Sequence, residues 1–163
     1  MHIVVHAFAK ITLFFTAGAI YVAAHKTKVS ELDGIGKQMP FTMAAFTLAA
    51  ISMIGIPPLG GFLSKWYIGI GAIEAGQLPV IIVLATSTIL NASYFLPIVH
   101  AAFFKELNSE TCIPNSEPGI HEAPAFMVAP LTLTAIGAGA LFFAPSVFLD
   151  LARMVVASVT GGN

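Results

Sequence analysis

Apolar runs long enough to cross a lipid bilayer recur along this chain, and they fix its solvent before any motif is considered. The first is Ile3–Ala24, whose only acidic or basic side chains are His6 and Lys10. It has about the 20 residues that a helical crossing needs. Further apolar runs cover about 41–56, 62–75, 79–104 and 124–149. Inside a bilayer each backbone polar group must be bonded within the protein, so runs of this kind read as helices. The chain is 57% hydrophobic and only 9% charged, against roughly 25% charged in soluble domains. These proportions predict an all-α polytopic transmembrane bundle of about five segments, forming a single membrane domain over residues 1–163. The lipid bilayer is therefore a partner. A net charge of −1 without a basic patch excludes nucleic acid. Cys112 is the single cysteine and cannot form an internal disulfide. The first run has no preceding positive charge and carries Lys10 within it, so it reads as a spanning helix, not a signal peptide. A chain that opens straight into such a helix is expected to be the C-terminal part of something longer.

The second and third runs are divided by Ile54-Gly55-Ile56-Pro57-Pro58-Leu59-Gly60-Gly61-Phe62-Leu63-Ser64-Lys65-Trp66. Pro57 and Pro58 end or kink the incoming helix, because proline lacks the backbone donor and clashes with the preceding turn. Gly60 and Gly61 allow the chain to turn without steric cost. The third run, from Phe62 to about Ala75, is short for a full crossing. It must tilt or combine with the break as one discontinuous helix. Irregular backbone at membrane depth persists only where it is buried in protein or lines a cavity. Lys65 stands there, either as a partly dry proton carrier or as a lysine reaching the interface beside Trp66.

His2, His6 and Lys10 follow at i, i+4 and i+8 and share one face of the first helix. A lysine at membrane depth costs roughly 2.5–3.5 kcal/mol on insertion scales. The stripe is therefore expected to face other helices or water, as part of a polar path or as a seam that holds helices together. His2 and His6 alone lack the further ligands that a metal or haem site needs. Thr42, Thr47 and Ser52 in the second run can bond back to their own helix. In the fourth run Thr86, Ser93 and His100 share a face, beside a stripe of Ser87, Asn91 and Tyr94, and Pro97 is expected to interrupt the helix. His100 is a candidate proton relay or an interfacial residue. The connectors His25–Pro40 and Lys105–Ala123 read as solvated loops. The fifth run is expected to continue through Pro145, near its end, to Leu149, and Asp150–Val159 is expected to lie on the membrane surface. Counting each run as one crossing places the first loop and the C-terminal tail on one side, with Lys26, Lys28, Lys37 and Arg153. The positive-inside tendency would make that side cytoplasmic.

The order Gly55-Ile56-Pro57, Gly61-Phe62 and Lys65 resembles the antiporter-like membrane subunits of respiratory complex I, membrane-bound hydrogenases and Mrp-type cation/proton antiporters. His6, Lys10, Leu13-Phe14-Phe15 and Gly18 are similar to another element of those subunits. So are Ser30–Gly36, Ser93-Tyr94-Phe95-Leu96-Pro97 and Phe103-Phe104. The likeness covers roughly Met1–Lys105, and its wording is nearest to the D-type member of the Mrp antiporters. It implies proton translocation through a buried Lys/His path. Lys65 would be the carrier on the broken helix and exit group of a second half-channel, with Lys10 and His6 in the axis that feeds it. The family's first half-channel has no counterpart among these residues. The topology that the resemblance implies puts the first loop and the tail outside, opposite to the charge count, so both orientations stand.

The resemblance implies other membrane subunits as partners, including the missing N-terminal half, protons and Na+ as transported ions, and a bacterial or archaeal cell membrane. It also leaves open a subunit of an NADH:quinone oxidoreductase-type translocase. No catalytic site and no cofactor are expected within this chain, since it has no cysteine cluster and no glycine-rich nucleotide loop. The alternative is a non-conducting structural or assembly subunit whose polar residues only fix helix packing.

Overall fold

A computed structural model describes residues 1–106 and 120–160. Its helices are α1 (His2–Ala24), α2 (Pro40–Ile54), α3 (Gly60–Glu74), α4 (Leu78–Phe104), α5 (Ala125–Phe143) and α6 (Ser146–Thr160), with short 3-10 turns at Val29–Glu31 and Ile35–Lys37. Among the described residues the fold is all-α, a polytopic helical membrane bundle. Cys112 and most of the acidic second loop lie outside the described residues.

Helices α1, α4 and α5 are each long and apolar enough to cross a bilayer. Helices α2 and α3 are not, at 15 residues each, or about 22 Å at 1.5 Å per residue. Their contacts with α4 explain how they span. Pairings climb in strict antiparallel order along α4. Ile73 and Ile81 line one groove, and Lys65 bonds Thr88. Asn91 then bonds the Met53 carbonyl, Phe95 packs on Phe46, and the Ala101 carbonyl accepts from Gly34 N–H. A 27-residue α4, about 40 Å long, runs beside both short helices in turn. Helices α2 and α3 therefore continue in one direction as the two halves of a single discontinuous crossing.

This changes the side assignment. Five membrane segments make four crossings, so the first loop shares a side with the second loop and not with the C-terminal tail. Two contacts fix that face. Lys105 pairs with Asp33 at 3.0 Å, and His121 N–H donates to the Gln38 carbonyl. On the same side, the Glu31 carboxylate accepts the backbone N–H groups of Lys28 and Thr27. Those amide donors hold it below the usual carboxylate range.

Two expectations about prolines are corrected. Pro97 does not interrupt α4, which runs unbroken to Phe104. Pro145 does divide the last run, because a residue before proline is pushed out of the α region. Ala144 sits at φ −125°, ψ 57°, ending α5. Helix α6 then presents Val147, Leu151, Met154, Val155 and Val156 on the surface.

The core lies where α1, α2 and α5 meet. Ala19, Ala24, Ala45, Ala102 and Ala135 are buried there with Ile35, Met39, Met43 and Leu131. Small side chains let membrane helices approach closely, which supplies the packing that lipid cannot drive. Thr12 and Thr134 bridge α1 and α5 at 2.8 Å.

Candidate functional site at the helix break

The last carbonyls of a helix have no partner within it. At the end of α2 the chain supplies partners from elsewhere. Gly55 adopts φ 86°, the left-handed conformation that closes a helix, and its N–H returns to the Ile51 carbonyl. The Met53 carbonyl accepts from Asn91 Nδ2 at 3.2 Å. The Ile54 carbonyl accepts from Lys65 Nζ at 2.8 Å. The Ser52 carbonyl is covered by Gly61, so closely that a Cβ there would lie 1.7 Å from its oxygen. The peptide bond between Pro57 and Pro58 is cis.

Lys65 thus lies across the break. Its amine reaches back to the negative end of α2 and sideways to Thr88 Oγ1 at 2.9 Å on α4. A cation at a helix C-terminus is favoured by the helix dipole. The side chain is partly buried.

Helix α1 brings its histidines to the same place. His2 Nδ1 lies 3.0 Å from Ser64 Oγ, and Ser64 in turn donates to the Gly61 carbonyl. The rings of His2 and His6 are 5.7 Å apart. Lys65, His2, His6, Ser52, Gly61 and Ser64 all line one small cavity. Lys10 stands one turn beyond His6 on the same stripe, exposed and outside that cavity.

The model for the transmembrane family "NADH:quinone oxidoreductase/Mrp antiporter, TM" matches residues 1–91. This is more than half of the 163-residue chain. The chain belongs to this family. NADH-quinone oxidoreductase subunit N of Desulforudis audaxviator (strain MP104C) is 40% identical over 146 residues, covering 84% of this chain and 28% of that protein. NADH-quinone oxidoreductase subunit L of Mycobacterium tuberculosis is 34% identical over 143 residues, covering 84% of this chain and 22% of that one. The chain therefore spans about a quarter of the length of these relatives. In fold, it superposes on a chain of the Mrp complex from Dietzia sp. DQ12-45-1b with a TM-score of 0.81, at 24% identity, over 94% of this chain and 35% of that chain.

The stretch matched by the family holds every polar residue of the break, from His2 to Asn91. His100 lies beyond it. It stacks on Phe104 near the first-loop end of α4, twelve residues or about 18 Å from Thr88 along the helix axis. The structure does not bring His100 to Lys65. Sequence reasoning singled out Lys65, His6, Lys10 and the break, but missed Ser64 and Thr88. Ser64 is 62 residues from His2, and no local spacing signals that contact.

Proposed function

We propose that this chain is part of a proton-translocating subunit of a multi-subunit membrane complex, either an Mrp-type cation/proton antiporter or a complex I-like NADH-quinone oxidoreductase. Lys65 is the proton carrier, and His2, His6 and Lys10 form the polar line that reaches it. The observation that supports this reading most is the seat of Lys65. Its amine rests on a free helix-end carbonyl and a hydroxyl, in a cavity shared with two imidazoles, and no Asp or Glu side chain lines that cavity. A cation held by neutral dipoles can give up its proton without breaking an ion pair. Na+ is the exchanged ion in the antiporter case. The partners are other membrane subunits, including the portion that carries the first half-channel.

The same bonds favour a second reading. Lys65 ties α2, α3 and α4 together, as an assembly subunit would require. The two are separated by replacing Lys65 with alanine in the assembled complex. Proton transport falls to background while the complex still assembles if Lys65 carries protons. Full transport in Lys65→Ala removes the carrier role, and loss of assembly favours the structural one.

The corrected side assignment bears on orientation. The first-loop side carries Lys26, Lys28, Lys37 and Lys105, and the other side carries Arg153. The positive-inside rule favours a cytoplasmic first loop in a bacterial or archaeal cell membrane, and the topology implied by the family resemblance favours the outer face.

A further inference from the structure

Ser52 is 2% exposed, and its hydroxyl is the one buried side-chain polar atom among the described residues without a hydrogen-bond partner in the chain. A serine in the last turn of a helix ordinarily bonds to a carbonyl one turn back, as Thr47 does to Met43. Ser52 does not, and a buried hydroxyl left unbonded costs roughly 1–3 kcal/mol. Ser52 is instead one of the residues that line the cavity shared by His2, His6, Gly61, Ser64 and Lys65. That cavity has a volume of about 10 Å³. One water needs about 10–15 Å³ on this measure, together with two to four polar partners.

The partners are present. An ammonium has three donors, and Lys65 commits two of them, to Ile54 and Thr88. The third is free for the cavity. His2 directs Nδ1 to Ser64, which leaves Nε2 uncommitted by that bond. The absence of a side chain at Gly61 keeps α3 close enough to α2 to roof the space.

We infer that Ser52 Oγ, the Lys65 amine and the α1 histidines bind one water molecule between them, and that this water passes the proton between α1 and Lys65. In the transfer a protonated α1 imidazole gives a proton to the water oxygen as the water gives one of its own to the neutral Lys65 amine. The water is regenerated, and no bond to carbon or change of oxidation state is involved. Ser52 is a positioning residue, since it fixes the water and does not itself carry the proton.

The relay role rests on the reading of Lys65 above, but the site itself does not. The test is an electron cryo-microscopy map of the assembled complex, at a resolution that shows ordered water, for the parent and for Ser52→Ala. A density peak about 2.8 Å from Ser52 Oγ is expected in the parent and lost in the variant. No peak in the parent overturns the site. Transport is then measured in the same two preparations. A fall of about tenfold or more, within the range of a lost proton-transfer partner, is expected in Ser52→Ala with assembly retained. Unchanged transport overturns the relay while the peak stands. Normal transport in Lys65→Ala is separate, since it defeats the carrier reading and leaves the water site in place.

Discussion

At the scale of single residues the break depends on Gly61. A methyl there would meet the Ser52 carbonyl at 1.7 Å, and backbone oxygen cannot move aside as a flexible side chain can. Overpacking of this kind costs about 3 kcal/mol or more. Gly61→Ala should therefore lower the melting temperature of the complex in detergent sharply. Gly71→Ala is the control, because a Cβ there meets nothing within 4 Å and alanine is the better helix former by about 0.5–1 kcal/mol. Equal melting of the two variants would contradict the close approach. The sequence reading of Gly60 and Gly61 as turn glycines is corrected, since both lie inside α3 and the glycine of the break with positive φ is Gly55. The contact of Gly61 was not legible either, because nothing in local spacing names Ser52 as the neighbour. Ser52 itself read as a residue bonded to its own helix, which is what Thr47 does and Ser52 does not.

At the scale of elements, the start of α2 has a partner that its own sequence lacks. Glu122 accepts from the N–H groups of Phe41 and Thr42 and from the Thr42 hydroxyl. A carboxylate at a helix N-terminus satisfies orphan donors and complements the helix dipole. Glu122→Ala should destabilise the first-loop end of α2 by about 1–2 kcal/mol, read as faster amide exchange at Phe41 and Thr42. Exchange unchanged at those amides would show that the cap is not formed. From the sequence Glu122 looked like one more charge in a solvated link, since its partner is 80 residues away. The helices themselves were easier to read. Long apolar runs have few alternatives in lipid, and α1 and α4 lie where the runs begin and end. The exceptions are both prolines. Pro97 lies inside an unbroken helix, whereas Pro145 falls between α5 and α6 and ends one of them.

At the scale of the whole molecule, the decisive feature is that α2 and α3 share one crossing. Sequence pattern could suggest a discontinuous helix, because the third run is too short to span alone, but it could not tell continuation from reversal. The antiparallel ladder along α4 decides it. Single cysteines at Lys28 and Gly76, in a chain with Cys112→Ser, should therefore react with an impermeant thiol reagent from opposite faces of the membrane. Labelling of both from one face would contradict the four-crossing topology. The joining of the two half-helices is also what places a lysine at mid-membrane on the end of a helix, with histidines from α1 beside it. The most direct measurement of whether that lysine carries protons is transport by the complex in sealed vesicles with Lys65→Met, compared with Thr88→Val. Lys65→Met should lose transport by about 100-fold or more, whereas Thr88→Val, which removes only one of two bonds to the amine, should keep a measurable rate. Parental transport in Lys65→Met would show that this lysine carries no protons.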